Sequence, residues 1–186
     1  MHKDEDAALV KACKSGDRRA MSTLVHQYQK PVYNAAYRIL GNSDDAADAT
    51  QTVFLKVFEH LDDYNPKYKF FSWVYRIAIN ESLNQISKRR NQEPLAESEI
   101  SPWQSPAEDL ETKRLCNRVQ GALMLLSVDY RTVVVLKHMS GCSYQQISEI
   151  LQLPEKTVKS RLYSARQLMK KTLLKDGGQD QGSEQS

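Results

Sequence analysis

A chain of 186 residues, 40% of them hydrophobic, with a net charge of +3, has room for one domain or two small ones and enough apolar surface for a packed core. It has no run of about 18 apolar residues, which excludes a membrane span, and its charged start, Met1 to Asp6, lacks the apolar stretch of a secretory signal. Cys13, Cys116 and Cys142 are isolated, make neither a disulfide framework nor a zinc set, and read as reduced cytosolic thiols.

The apolar residues recur at helical spacing, and no convincing alternation marks a strand, so the expected class is all-α. Leu9, Val10 and Cys13 share one face of a first short helix that Gly16 ends. Ala20, Met21, Leu24, Val25 and Tyr28 form the stripe of a second. Pro31 is expected to restart the chain, with Val32, Ala35, Ala36, Ile39 and Leu40 continuing at helical spacing and Gly41 as C-cap. Ser43 is expected to cap the next helix, with Asp44 and Asp45 in its first turn and an apolar stripe of Ala46, Val53, Phe54, Val57, Phe58 and Leu61. A loop from Asp62 to Lys69 turns around Asn65-Pro66 and leads into a helix from about Phe70 to Arg90.

Charge divides the chain further. Residues 1–90 carry +3, residues 91–111 carry −6, residues 112–175 carry +9 and residues 176–186 carry −3. The acidic stretch holds Pro94, Pro102 and Pro106 and reads as a flexible linker. The expected organisation is therefore a helical domain over 1–90, a linker over 91–111, a second helical domain over 112–175 and a disordered tail over 176–186. A basic second domain behind an acidic spacer suits a polyanion.

Within that basic block, Ser143-Tyr-Gln-Gln146 has the form of a capping box, opening a short helix that buries Ile147, Ile150 and Leu151. Leu153-Pro154 makes a tight turn, with Pro suited to the first position of the following helix. That helix places Val158, Leu162, Ala165 and Met169 inward. Lys156, Lys159, Ser160, Tyr163, Arg166, Gln167 and Lys170 form one opposite stripe. Two helices joined in this way make a helix-turn-helix whose second member has the polarity to lie in a major groove.

The Phe70–Arg90 helix divides on a wheel. Phe70, Val74, Ile77 and Ala78 point to a core, whereas Trp73, Arg76, Asn80, Asn84 and Ser87 share another stripe and Lys88, Arg89 and Arg90 close the helix. An aromatic, a cation and two amides in line suit stacking on unpaired bases and reading of their edges. The adjoining Tyr64, Lys67, Tyr68, Lys69 and Phe71 suit a pocket for a base drawn from the stack. On the helix after Ser43, Asp48, Gln51, Thr52, Leu55 and Glu59 lie away from the core. An exposed Leu in such company can anchor a protein interface. His2, His26, His60 and His138 have no metal-ligand spacing, and no catalytic set or phosphate-binding loop stands out, so neither an enzyme nor a metal or cofactor site is expected.

Three of these segments, in this order, resemble the sigma-70 family and within it the extracytoplasmic-function (ECF) group, which retains only the second and fourth sigma domains. They are Asp44 to Leu55, Phe70 to Asn80, and Ser143 to Lys171. The resemblance implies docking of Asp48, Gln51 and Leu55, with Phe54 supporting from the core, on the β′ coiled coil of core RNA polymerase. It implies contacts of Tyr68, Phe71, Trp73, Arg76, Asn80, Asn84, Lys88 and Arg89 with the single-stranded −10 element. It implies contacts of Lys156, Thr157, Lys159, Ser160, Arg161, Tyr163 and Arg166 with the duplex −35 element, Arg161 reaching a phosphate from the helix edge. The fourth domain would also touch the β-flap, and an anti-sigma factor, often membrane-bound, would hold this cytoplasmic protein inactive. Two departures bear on base preference: Leu153-Pro154 stands where the family often has Gly, and the loop from Asn65 lacks the common Arg-Gly start. A polymerase-independent helix-turn-helix regulator and a helical adaptor for an anti-sigma partner are the rival readings.

Overall fold

A computed structural model describes residues 3–92 and 110–177. The expected linker, apart from its two ends, and the tail beyond Gly177 lie outside the described residues. Among the described residues eight α-helices follow one another: α1 (Lys3–Lys14), α2 (Arg18–Leu40), α3 (Ser43–Glu59), α4 (Phe70–Gln92), α5 (Leu110–Met124), α6 (Val128–Val134), α7 (Tyr144–Leu151) and α8 (Glu155–Gly177). A 3-10 turn, Leu61–Asp63, follows α3, and a π-helical segment, Val135–Met139, continues α6. No strand occurs among the described residues, and the three cysteines are free thiols.

Local chemistry sets most boundaries. Asp17 accepts from the N–H groups of Arg19 and Ala20 and so starts α2. Gly41, left-handed at φ 78°, ends it with its N–H on Tyr37 O at 2.8 Å. Two expectations need correction here. Pro31 does not restart the chain, because α2 runs through it. An interior proline costs about 3 kcal/mol; complete burial of Tyr28, Val32 and Ile39 on the same helix, each large side chain contributing about 1.5–3 kcal/mol, offsets that. The cap of α3 is Asn42, not Ser43: Asn42 is the extended residue, and its Oδ1 accepts from the N–H groups of Asp44 and Asp45.

The helices of the first group, α1 to α4, enclose a core of Leu24, Tyr28, Val32, Val53, Phe70 and Val74 among others. Asp6, itself buried, ties α1 to α2 by accepting from Tyr28 Oη at 2.7 Å and Gln27 Nε2 at 3.0 Å. The second group, α5 to α8, packs Leu123, Leu136, Ile147, Val158 and Leu162, and this core is continuous with Ala35 and Ile39 of α2 and Tyr75 and Ile79 of α4. Helix α4 is therefore buried on two sides. One stripe (Phe70, Val74, Ala78) meets its own group and another (Tyr75, Ile79) meets the second, which a single-core wheel does not anticipate.

Candidate nucleic-acid interface

The helix-turn-helix is assembled by the chemistry of its own residues. Ser143 Oγ accepts from Gln146 N at 3.1 Å while Gln146 Oε1 accepts from Ser143 N at 2.9 Å, which completes the capping box. Helix α7 ends at Gln152, a non-glycine residue in the left-handed region at φ 53°. Pro154 stands immediately before the first residue of α8, and its carbonyl accepts from the N–H groups of Thr157 and Val158. Val158, Leu162 and Ala165 are buried, so α8 is anchored along one stripe. The opposite stripe faces outward: Lys156, Lys159, Ser160, Tyr163, Arg166, Gln167 and Lys170 are all exposed, Tyr163 by 66%.

Several neighbours hold that stripe in place. Lys159 pairs with Glu155 at 3.5 Å, and its Nζ lies 5.4 Å from the centre of the Tyr144 ring. Lys137 Nζ lies 4.7 Å from the same ring and donates to Cys142 O at 3.1 Å. Arg166 donates from Nε at 3.2 Å and Nη2 at 3.1 Å to Nε2 of His138 in the π-helical segment. Because a guanidinium only donates, this imidazole is neutral with its proton on Nδ1. Burial, Arg166 and Lys137 together hold the His138 pKa below its ordinary value. Arg161, half-buried at the edge of α8, is paired with Asp129 at 2.8 Å.

The second candidate surface lies on α4. Trp73 and Asn80 border a cleft of about 290 Å³ with Ile77, Lys56, His60, Asp63 and Glu81. Trp73 is half-buried; one part packs on Tyr64 and Phe70, at ring distances of 5.5 and 5.6 Å, and the rest lines the cleft. Lys56 and the buried Glu81 close the floor with an ion pair at 2.5 Å. Asn84 and Lys88 continue outward as exposed side chains, and Arg89 is ion-paired with Asp45. Tyr68 is 55% exposed on its loop, which Tyr64 Oη steadies by donating to Tyr68 O at 2.7 Å. Two members of the expected set point elsewhere. Phe71 stacks on Tyr75 at 4.2 Å and packs against both cores, and Arg76 Nη2 donates to Glu149 O of α7 at 2.8 Å. Trp73 and Asn80 thus share a cleft that Phe71 and Arg76 do not join.

On α3, Asp48 and Gln51 are exposed, Leu55 is 64% exposed, and Phe54 beneath them is buried in the core. An exposed leucine beside polar neighbours over a rigid aromatic base has the form of an interface anchor.

Comparison with known proteins places these surfaces in a family. The Sigma-70 region 2 signature matches residues 24–92, and the Sigma-70, region 4 signature matches residues 116–169. The ECF RNA polymerase sigma factor SigW of Bacillus subtilis is 31% identical over 177 residues, which cover 88% of this chain and 94% of that protein. The RNA polymerase sigma-H factor of Pseudomonas aeruginosa is 30% identical over 182 residues, covering 91% and 94%. The chain is a member of the ECF group of sigma factors. Solved structures agree. A sigma factor, RpoE of Bartonella quintana, in complex with the anti-sigma factor NepR, is 25% identical with a TM-score of 0.69 over 82% of this chain and 95% of that one. CnrH in complex with the cytosolic domain of CnrY shares the fold, at 24% identity and a TM-score of 0.72 over 92% and 99%.

In this sigma factor the region 2 match takes in α3, the loop and α4, and the region 4 match runs from α5 through most of α8. Sequence reasoning missed Lys56, His60, Asp63 and Glu81 around the cleft, and Lys137, His138 and Tyr144 behind the recognition helix. Most of these couple residues distant in the chain, Lys56 to Glu81 or His138 to Arg166, and no local spacing announces them. No helix among the described residues is long and apolar enough to cross a membrane, and no group of three or more His, Cys, Asp or Glu among them is placed to hold a metal.

Proposed function

We propose that this ECF sigma factor brings core RNA polymerase to promoters by gripping DNA at two places and opening it at one, with no catalysis of its own. The observation that carries this reading is the presence on one chain of an exposed basic recognition stripe on α8 and a Trp73–Asn80 cleft on α4. Lys156, Lys159, Arg161 and Arg166 neutralise phosphates of the −35 duplex, while Thr157, Ser160 and Tyr163, near the start of α8, reach base edges. Trp73 stacks on a base of the −10 strand and Asn80 and Asn84 read edges, with Tyr68, Phe71, Arg76, Lys88 and Arg89 completing the path. Stacking offsets the few kcal/mol of unpairing. Asp48, Gln51 and Leu55 dock on the β′ coiled coil over Phe54, and the fourth domain touches the β-flap. Fixing both DNA-reading domains on polymerase makes their binding additive in free energy, so two weak grips become one strong one.

Support for an anti-sigma partner comes from the NepR complex of the Bartonella protein, in which a sigma factor similar in sequence and fold is held by such a factor. The site of action is the cytoplasm, where RNA polymerase works. The test is transcription from fragmented host DNA by core polymerase with and without this protein, with starts mapped. Starts that appear only with it and share one −35/−10 pair are expected, and Leu55→Asp lowers them at least tenfold while leaving duplex binding by α8 intact. Core polymerase giving the same starts with and without the protein sinks the reading.

A further inference from the structure

The cations of the α8 surface are not held alike. Lys159 and Arg161 are each paired with a carboxylate, Glu155 and Asp129, whereas Arg166 is held by the neutral ring of His138. Arg166 Nε and Nη2 donate to one atom, His138 Nε2, so one edge of the guanidinium is fixed. Of the five N–H groups that a guanidinium carries, this leaves both on Nη1 and one on Nη2. Among the described residues nothing accepts from them, and Arg166 is exposed on the same stripe as Lys159 and Tyr163. A carboxylate in the place of His138 would orient the guanidinium and offset its charge. A neutral imidazole orients it and leaves the full charge for a phosphate.

His138 is itself firmly placed. Val135 and Leu136, fully buried, anchor the π-helical segment in the core that also takes Leu162 and Ala165 of α8. Ser140 N donates to Val135 O at 3.0 Å and Cys142 N to Leu136 O at 2.9 Å, which closes the segment. Wide helical turns of this kind are rare and occur often at functional sites. The charged groups bearing on the ring are Arg166 from α8 and Lys137 from its own segment, both cations, and with burial they disfavour its protonation.

We infer that His138 is a positioning residue for −35 reading, and a proton-sensitive one: its neutral ring presents the free edge of Arg166 to one phosphate, which sets the register of α8 in the groove, and its protonation releases that register. Phosphate contacts place a protein on the duplex and base contacts choose the sequence, so loss of placement costs discrimination. Thr157, Ser160 and Tyr163 then meet the base edges out of register. Positive charge does not fall, because an imidazolium replaces a neutral ring, so binding to unrelated duplex, which follows charge, is kept. His138 acts only through Arg166 and so depends on the place proposed above for Arg166 on the −35 duplex.

The test uses the full chain assembled with core polymerase and two fragments of a promoter mapped as above, identical except that the −35 element of one is scrambled. The ratio of the two affinities is measured at pH 7.5 and at pH 5.5. Any unfolded fraction lowers both affinities alike and cancels in the ratio. In the wild type the ratio is expected to fall by about threefold at the lower pH, within the net worth of one hydrogen bond, while affinity for the scrambled fragment holds or rises. His138→Ala is expected to lower the ratio by about fivefold already at pH 7.5 and to show no further fall. His138→Gln, whose side-chain oxygen accepts without titrating, restores the ratio at pH 7.5 and keeps it at pH 5.5. A wild-type ratio independent of pH overturns the inference, and so does the same fall in His138→Gln. Arg166→Ala separates this role from the reading beneath it. A ratio lowered in Arg166→Ala but not in His138→Ala leaves Arg166 on the duplex and removes His138 from its placement. A ratio unchanged in Arg166→Ala takes Arg166 itself off the −35 element, and the role of His138 falls with it.

Discussion

At the scale of single residues, His138 has the most direct measurable consequence. Its Nε2 accepts from Arg166 at the protein surface, so that hydrogen bond needs the neutral ring. Burial first, then the charges of Arg166 and Lys137, push its pKa below the ordinary 6.5. A folded pKa that is depressed means the unfolded chain binds the proton more readily, so stability is intact above about pH 6.5 and falls as pH drops below that value. The wild type is expected to lose more denaturation-midpoint stability between pH 7.5 and 5.5 than His138→Gln, which keeps an acceptor without the titration. Parallel pH profiles for the two proteins would remove His138 from the account. Duplex binding should follow the same residue, because a protonated ring repels the guanidinium it now holds. Cys142 behaves in the opposite sense: burial pushes its thiol up to about 12, so it stays protonated and unreactive while the fold is intact.

At the scale of elements, the turn of the helix-turn-helix links local strain to recognition. The family often has glycine there, and this chain has Gln152-Leu153-Pro154. The left-handed position falls on Gln152, at φ 53°, one residue before Leu153-Pro154. A non-glycine residue in that region costs about 1–2 kcal/mol, and Gln152 is exposed, so its side chain gives up little when removed. Gln152→Gly is expected to stabilise the protein by about 1 kcal/mol, less the entropy glycine adds to the unfolded chain. A lower thermal midpoint in the variant would mean that Gln152 makes a contact worth more than its strain. The same element shows how far sequence reads. The capping box of Ser143 and Gln146, the buried stripe of Val158, Leu162 and Ala165 and the exposed stripe of α8 were all legible, because each depends on residues within a few positions of one another. The one-residue slip from Ser43 to Asn42 arose because both are good caps and only backbone conformation chooses between them. Pro31 misled because helix continuity there is decided by burial of Tyr28, Val32 and Ile39 against distant helices. On α4 the wheel separated exposed Asn80 from buried Phe70 and Val74, but Trp73 packs partly on that same core and Ile77, expected in the core, is half-buried and lines the cleft. The wheel could not place Tyr75, Ile79 or Arg76, since their partners lie on helices more than forty residues away.

At the scale of the whole molecule, the question is whether two groups that each match a separate sigma-70 signature unfold separately or as one. Each group has a core of its own, which favours two transitions. The second core, however, takes in Ala35, Ile39, Tyr75 and Ile79 from the first group. Moving these four onto water would expose four apolar side chains, three of them large, at about 1.5–3 kcal/mol for each of the large ones. It would also break the hydrogen bonds from Arg131 to Ile39 O and from Gln120 to Tyr37 O, each contributing about 0.5–1.5 kcal/mol net. That coupling is comparable with the whole stability of a small domain, about 5–15 kcal/mol, so neither group can unfold without substantially weakening the other. A single cooperative transition is therefore expected in the free protein. Fluorescence of Trp73, which reports on the first group, and tryptophan-independent helicity, which reports on both, should follow superimposable denaturation curves, with Trp103 replaced by Phe to isolate the signal. Gln120→Ala with Ala35→Glu should split them, because each group then unfolds on its own core. Two separated transitions in the wild type would mean that the interface contributes little free energy and that each group stands on its own core.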